Sequence, residues 1–319
     1  MADILYIAVP CYNEQEVLQE TAYRLTNKVS SLIQNKKISE MSRILFIDDG
    51  SKDRTWEMIN ELHHANELIG GLKLSRNRGH QNALLAGLMV AKKHADMVIS
   101  MDADLQDDVE AVDQMIDQYY LGHDIVYGVR SSRKKDTFFK KLTAESFYKL
   151  MMKMGVELVF NHADYRLMSK RALDGLMEFE EVNLFLRGII PQIGYKTAIV
   201  EYERQERFAG ESKYPVRKML ALALDGITSF SVKPMRLIVN LGIAMMLVSL
   251  IALVYAFVSK VGGSTVSGWT STIVSIWFIG GIQILCLGVI GEYIGKIYSE
   301  SKKRPRYIIE SLLLNERNL

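Results

Sequence analysis

The sequence predicts an α/β protein with a mostly parallel β-sheet, followed by a membrane-surface helix and two membrane-spanning helices. In the first half of the chain, short apolar segments that end in polar residues alternate with helical patterns, which is typical of a parallel sheet covered by helices. In the last third, residues 237–258 and 270–291 contain no charged side chain. Each of these two runs is long enough to cross about 30 Å of hydrocarbon as a helix.

The predicted strands lie at residues 4–10, 43–47, 72–74, 97–101, 124–127 and 161–169. Three helical patterns separate the first four strands. The first runs from about residue 16 to 34, the second begins at Asp53, and the third runs from about residue 81 to 94. The short connections favour parallel pairing with helical crossovers. Open α/β sheets bind ligands at the carboxyl ends of their strands, so we expect the polar residues that follow these strands to form the functional site.

The segment after the fourth strand carries the clearest chemistry. It reads Asp102-Ala103-Asp104-Leu105-Gln106-Asp107. The carboxylates of Asp102 and Asp104 and the amide oxygen of Gln106 are hard ligands of the kind that suits Mg²⁺ or Mn²⁺. A strand end followed by an acidic turn is the alternative that this motif alone leaves open. No G-x-G-x-x-G follows the first strand and no P-loop is present, which argues against a dinucleotide oxidoreductase and against a P-loop nucleotide site.

The late region is predicted to attach the protein to a membrane. Residues 215–230 place apolar side chains at helical spacing and keep Arg217 and Lys218 off that stripe, which predicts a helix on the cytoplasmic leaflet. Lysine and arginine residues flank the two uncharged runs, whereas the connecting segment 259–269 has one lysine. By the positive-inside rule, both termini are cytoplasmic and the connecting loop is external. The expected regions are a soluble domain at 1–214, a juxtamembrane helix at 215–233, two spans within 234–296 and a partly loose cytoplasmic tail at 297–319.

Five motifs occur in a fixed order along the chain. They are Pro10-Cys11-Tyr12-Asn13-Glu14, Asp48-Asp49-Gly50-Ser51, Asn77-Arg78-Gly79-His80-Gln81, Asp102 to Asp107, and Asp164-Tyr165-Arg166-Leu167-Met168. Each motif is weak alone, but the ordered set resembles the family 2 glycosyltransferases with the GT-A fold. The branch that it resembles most is the polyprenyl-phosphate glycosyltransferases, which include bactoprenol glucosyltransferases and dolichyl-phosphate mannose synthases. The resemblance covers nearly the whole chain.

The resemblance implies a role for particular residues. Pro10, Tyr12, Glu14 and Asp49 match the positions that hold the nucleoside of a nucleotide sugar, and Lys213 lies in a loop similar to one that closes over this donor. Asp102, Asp104 and Gln106 match the metal and diphosphate site, Asp104 and Asp164 are the catalytic candidates, and Arg130 matches the cation that meets the lipid phosphate. The Gln-x-x-Arg-Trp sequence of processive members is absent at residues 205–208, which favours a single transfer.

The resemblance therefore implies inverting, metal-dependent transfer of a sugar to undecaprenyl phosphate at the cytoplasmic face of a bacterial plasma membrane. UDP-glucose is the first donor expected, with UDP-N-acetylglucosamine and GDP-mannose as alternatives. The expected partners are the nucleotide sugar, the polyprenyl phosphate and the membrane, with no nucleic acid; a homo-oligomer is left open. Another lipid acceptor, a non-enzymatic scaffold and a flippase component are the competing functions. The intact acids Asp102, Asp104 and Asp164 argue against a scaffold, and spans without charged residues argue against a flippase.

Overall fold

The computed structural model describes residues 2–131, 162–182, 184–203, 228, 231–261 and 268–314. These residues fall into two compact units. The first contains the described residues up to 203 together with residues 304–314, and the second contains the described residues from 228 to 303. The helix predicted at 215–233 lies mostly outside the described residues, and Lys213 lies outside them entirely.

The first unit is built on an eight-stranded sheet with the order β7-β5-β6-β4-β1-β2-β3-β8. The strands are β1 (Leu5–Cys11), β2 (Arg43–Asp48), β3 (Ile69–Leu74), β4 (Met97–Ser100), β5 (Ile125–Arg130), β6 (His162–Ser169), β7 (Thr197–Tyr202) and β8 (Ile309–Leu313). Strands β3, β2, β1 and β4 are parallel, as predicted. Strand β6 runs antiparallel to both β4 and β5, and β8 runs antiparallel to β3. The α/β class is confirmed, and the sheet is mixed.

Helices follow most of these strands. They are α1 (Leu18–Gln34), α2 (Thr55–Ala65), α3 (His80–Ala91), α4 (Ala111–Tyr120), α5 (Lys170–Met177) and α6 (Leu186–Gln192). Every residue of β1 and β2 is buried, as expected for central strands covered on both faces. Helix α1 is amphipathic and turns Leu18, Leu25 and Leu32 into the core. The carboxyl ends of β1, β2 and β4 therefore meet at one edge of a rigid sheet, where the predicted site residues follow them.

The last strand of the sheet comes from the C-terminal tail. The sequence pattern placed residues 297–319 in a partly loose tail, whereas residues 309–313 form β8 and pair with β3. The apolar residues of β8 are interrupted by Glu310 and Ser311 and follow a basic stretch, so no clear strand pattern marks it. Gly71 of β3 lets helix α2 and β8 pack closely on this strand, because a Cβ there would lie 2.7 Å from Ile59 Cγ2 and 3.2 Å from Leu313 Cδ1.

The second unit contains two long apolar helices, α7 (Lys233–Val261) and α8 (Trp269–Ser301), which contact each other. They coincide with the two predicted spans. Among the described residues, one segment is long and apolar enough to cross a membrane by length and composition, namely Phe278–Ser301 of 24 residues with a mean hydropathy of 1.6. The presence of two spans stays a prediction.

Candidate active site

The predicted metal ligands lie on the segment that follows β4, residues 101–107, called here the acidic loop. Exposure alternates along it: Asp102, Asp104 and Gln106 are half-buried, whereas Ala103, Leu105 and Asp107 are buried. The backbone of Leu105 is left-handed, with a φ of 57°. The Gln106 N–H donates to Asp104 Oδ1 at 3.2 Å. This turn keeps the three predicted ligands at accessible positions.

Helix α1 holds the acidic loop from its buried side. The hydroxyl of the fully buried Thr21 donates to the Ala103 carbonyl at 2.7 Å, between the two aspartates. Within the described part of the chain, no three His, Cys, Asp or Glu side chains form a ready-made metal site. Asp102 and Asp104 nevertheless fit a divalent cation, because Mg²⁺ is commonly held by one or two carboxylates together with substrate phosphates.

Negative charge accumulates around the acidic loop. Burial raises the pKa of Asp102; the charge of His80 acts against this, and the charges of Asp164 and Asp104 add to it. Nearby negative charges disfavour the charged form of Asp102. A bound cation would relieve this repulsion, so the electrostatics of the loop agree with its donor atoms.

His80, the first residue of α3, connects the acidic loop to Asp164. Its Nε2 atom lies 3.5 Å from Asp102 Oδ1 and 3.6 Å from Asp164 Oδ2. Burial alone would lower the pKa of His80, but the interaction with Asp164 and the charge of Asp102 outweigh it and raise the pKa to about 9. Sequence analysis included His80 in a motif without giving it a role. The structure places it between two predicted site carboxylates.

Asp164, on β6, is 7% exposed and surrounded by cations. Arg187 of α6 contacts it with two nitrogens, Nε at 3.2 Å from Oδ1 and Nη2 at 3.0 Å from Oδ2. Arg166 Nη2 donates to Oδ1 at 2.5 Å. Burial would raise the pKa of Asp164, but Arg187, His80 and Arg166 hold it well below its usual range. Neither arginine was predicted as a site residue: Arg166 lies inside a recognised motif, whereas no local pattern marks Arg187.

Asp49 fixes the loop that leads into α3. Its carboxylate is 2% exposed and accepts the Arg78 N–H at 2.7 Å and the Gly79 N–H at 2.9 Å. Gly79 has a φ of 87°, which an L side chain rarely adopts, so glycine suits this turn. These contacts set the position of His80. The nucleoside contact predicted for Asp49 stays a prediction.

The loops after β1 and β2 are tied to each other. Pro10 is buried in β1, and Tyr12, just beyond the strand, is 37% exposed. The Glu14 N–H donates to Thr55 Oγ1 at 2.9 Å, at the start of α2. The backbone of this loop is therefore fixed, with the Tyr12 ring exposed beside it. The nucleoside contacts of Pro10, Tyr12 and Glu14 stay predictions.

Arg130, at the end of β5, lies in a buried polar group with Asp107 and Tyr202. Its Nη2 atom is 3.5 Å from Asp107 Oδ1, and its Nε donates to the Tyr202 hydroxyl at 3.3 Å. The Tyr202 hydroxyl donates to Asp107 Oδ1 at 2.5 Å. Burial, followed by the charge of Asp102, raises the pKa of Asp107 to about 6. A phosphate that binds Arg130 would compete with Asp107, and the predicted acceptor contact stays a prediction.

Family comparisons agree with this combination of sheet and site. Residues 6–177 match the family described as Glycosyl transferase family 2, and residues 233–297 match the GtrB C-terminal hairpin. The chain belongs to glycosyl transferase family 2, and it is a glycosyltransferase with a GT-A-like fold. The resemblance derived from the five motifs is confirmed, as is the assignment as an enzyme.

Several curated relatives are similar over almost their whole length. An uncharacterized glycosyltransferase, YkoT, of Bacillus subtilis is 55% identical over 98% of this chain and 93% of its own. The bactoprenol glucosyl transferase of Shigella phage SfV is 41% identical, with 96% of this chain and 97% of its own covered. A prophage bactoprenol glucosyl transferase homolog of Escherichia coli is also 41% identical, with coverage of 95% and 97%.

Among solved structures, glucosyl-3-phosphoglycerate synthase from Mycobacterium tuberculosis, in complex with Mn²⁺, UDP and glucosyl-3-phosphoglycerate, is 14% identical. The match covers 71% of this chain and 78% of that chain, with a TM-score of 0.45. This likeness is too distant to bear on activity.

Proposed function

We propose that the protein transfers glucose from UDP-glucose to undecaprenyl phosphate, with Mg²⁺ or Mn²⁺ as cofactor. The observation that carries this proposal is the similarity over 95% or more of the chain to relatives named bactoprenol glucosyl transferases. That similarity includes the late hairpin as well as the transferase domain. An acceptor that stays in the bilayer requires an enzyme held at the membrane surface, and the long apolar helices α7 and α8 support this attachment.

Asp102, Asp104 and Gln106 are the residues that would hold the cation. A divalent cation at this position supplies charge stabilisation for the nucleoside diphosphate leaving group. Pro10, Tyr12, Glu14, Asp49 and Lys213 are proposed to bind the nucleotide sugar, and Arg130 the acceptor phosphate. The proposal for Arg130 is supported by its place at the end of β5 and by the ability of a guanidinium to contact two phosphate oxygens at once.

Asp164 orients the reacting groups in this mechanism. Its pKa is held well below the usual range by Arg187, His80 and Arg166 against the effect of burial, so it is a poor proton acceptor. No strong base is needed, because a phosphate monoester with a second pKa of about 6 is largely a dianion at neutral pH. Attack opposite the leaving group inverts the anomeric centre. An α-linked donor would then give a β-linked sugar on the lipid phosphate.

The proposed location is the cytoplasmic face of a bacterial plasma membrane. Two spans, α7 and α8, would place the transferase domain and both termini in the cytoplasm, in agreement with the positive residues that flank them. In this arrangement the chain returns to the cytoplasm after the second span, where β8 joins the eight-stranded sheet that also contains β1. The connecting loop predicted at residues 259–269 would face outward.

A panel of donors and acceptors tests the proposal. The purified chain in detergent is incubated with undecaprenyl phosphate and UDP-glucose, UDP-N-acetylglucosamine or GDP-mannose, with Mg²⁺, Mn²⁺ or chelator, and the lipid product is identified by mass spectrometry. We expect a glucosyl lipid phosphate from UDP-glucose only in the presence of a divalent cation. Transfer to diacylglycerol but not to undecaprenyl phosphate would refute the acceptor, and a different preferred donor would refute the sugar. Donor hydrolysis that added lipid phosphate leaves unchanged would contradict a transferase that acts on this lipid.

A further inference from the structure

Asp164 has two arginine partners that differ in kind. Arg166 is on the same strand, is 1% exposed and contacts one carboxylate oxygen. Arg187 comes from α6, has a side chain that is 35% exposed and contacts both carboxylate oxygens. Arg166 therefore supplies buried positive charge beside Asp164, whereas Arg187 lies at the accessible side of the cluster.

The two-nitrogen contact from Arg187 fixes the plane of the Asp164 carboxylate. A guanidinium is flat and presents paired donors that match the two oxygens of a carboxylate, and a lysine ammonium has no such geometry. His80 lies within 3.6 Å of the same Oδ2 atom that receives Arg187 Nη2. Rotation of the Asp164 carboxylate would break the Arg187 contact and alter the His80 contact at the same time.

The start of α6 is held by a contact from α3. Leu186 directly precedes Arg187 in the chain, and its N–H donates to Gln81 Oε1 at 2.9 Å. Gln81 follows His80 in the first turn of α3, and the loop before α3 is anchored by Asp49. The first turn of α3 thus contributes two contacts: His80 to Asp164 itself, and Gln81 to the backbone that carries Arg187.

We propose that Arg187 and Gln81 are positioning residues for sugar transfer. Gln81 sets the start of α6, and Arg187 holds the Asp164 carboxylate in one orientation at the reacting centre. This inference rests on the proposed function, in which Asp164 orients the reacting groups. The competing role for a partly exposed arginine is direct binding of a substrate phosphate. The two roles differ in kinetics, because a positioning residue changes turnover and a phosphate-binding residue changes affinity.

The first experiment compares Arg187→Ala and Arg187→Lys with a matched control, Arg171→Ala. Arg171 contacts Asp124 with two nitrogens in the same manner, on the exposed start of α5. Misplacement of a group at a reacting centre by about 1 Å costs about 100-fold in rate, and we expect a fall of this order in kcat for both Arg187 variants, with KM for both substrates unchanged. We expect wild-type kinetics for Arg171→Ala. A raised KM for either substrate with unchanged kcat, or wild-type kinetics in Arg187→Ala, would overturn the proposal.

Chemical rescue separates positioning from general structural damage. Added methylguanidinium should restore part of the kcat of Arg187→Ala, and methylammonium should not, because only the planar cation reproduces the two contacts. Equal rescue by the two cations would overturn the proposal by showing that charge alone matters. Failure of both, in a variant that still binds UDP as wild type does, would also count against it.

Gln81 provides a second set of variants that keeps every charge of the Asp164 cluster. Gln81→Met removes the acceptor for the Leu186 N–H, and Gln81→Glu retains an acceptor oxygen. We expect the methionine variant to lose kcat and the glutamate variant to retain more of it. Equal kcat values in the two variants would contradict the role of Gln81. This test remains valid even if Arg187→Ala does not fold.

The wild-type reaction distinguishes failure of this inference from failure of the proposed function. If the wild type transfers no sugar to undecaprenyl phosphate, the proposed acceptor is wrong. The same variants are then compared by release of UDP from UDP-glucose, where the fall in kcat is still expected. If the wild type transfers glucose and the Arg187 and Gln81 variants do so equally fast, the proposed function stands and the positioning role is refuted.

Discussion

The substitution Asp49→Asn tests whether this buried acid anchors a loop or binds the nucleoside. Each oxygen of Asp49 accepts one backbone N–H, from Arg78 at 2.7 Å and from Gly79 at 2.9 Å. In asparagine one of these oxygens becomes an NH₂ group, which would face a backbone donor. A buried donor left without an acceptor costs about 1–3 kcal/mol, so we expect the free energy of unfolding to fall by about this amount.

The assay is thermal unfolding of the full chain in detergent, combined with calorimetric titration of UDP. For a domain of this size, about 1 kcal/mol corresponds to a fall in Tm of about 2–4 °C. Asp96→Asn is a matched control, because Asp96 accepts one backbone N–H, from Ile4 at 2.9 Å, and asparagine can still accept one. We expect the Tm of this control to stay near the wild-type value.

The two roles of Asp49 give different results. An anchor lowers Tm and, through displacement of His80, lowers kcat. A nucleoside ligand lowers UDP affinity and leaves Tm unchanged. Wild-type Tm in Asp49→Asn together with weaker UDP binding would refute the loop-anchoring argument and support the contact expected from the family resemblance.

Three further predictions concern the sheet edge, the acceptor site and the acidic loop. Gly71→Val should lower the free energy of unfolding by about 1–3 kcal/mol, because the added side chain overlaps Ile59 and Leu313; an unchanged Tm would show that these two side chains do not pack closely on Gly71 in solution. Arg130→Ala should raise the apparent KM for the lipid phosphate or lower turnover while UDP affinity stays unchanged; weaker UDP binding with intact acceptor kinetics would assign the arginine to the donor site. Asp104→Asn should reduce turnover by several orders of magnitude with an unchanged Tm, since metal assistance contributes several kcal/mol; full activity of the wild type in excess chelator would contradict a metal-dependent reaction.

The parallel centre of the sheet could be predicted because its strands are apolar runs that end abruptly in polar residues. The same signal located Asp102 and Asp104, since a strand end fixes where the side chains after it lie. The strand β6 was predicted at residues 161–169, but its antiparallel pairing was not, because a local pattern gives the presence of a strand and not its partner. The strand β8 was not predicted. Gly71 lies opposite Leu313 in the pairing of β3 with β8, and its lack of a side chain carries no signal about what packs there.

The contacts of the site could be predicted only where a motif carried them. Asp164 was found because it leads a recognised motif, but its partner Arg187 lies 23 residues further on, in a segment without a pattern. The pairing arises from the antiparallel placement of β6 and from the Gln81 contact that starts α6. Neither can be read from the residues around Arg187. For Asp49 the motif indicated a ligand contact, and the structure adds a backbone contact that the motif does not encode.

The charges of the site favour joint binding of donor and cation. Three acidic side chains, those of Asp102, Asp104 and Asp164, lie near three basic ones, those of Arg166, Arg187 and His80. A nucleotide sugar brings two negative charges on its diphosphate, and a divalent cation brings two positive charges. Entry of both together would add no net charge, whereas the donor alone would add negative charge beside the acidic loop in a partly desolvated site, which is costly. The arginines beside Asp164 would thus offset part of the negative charge that the proposed donor meets at this site.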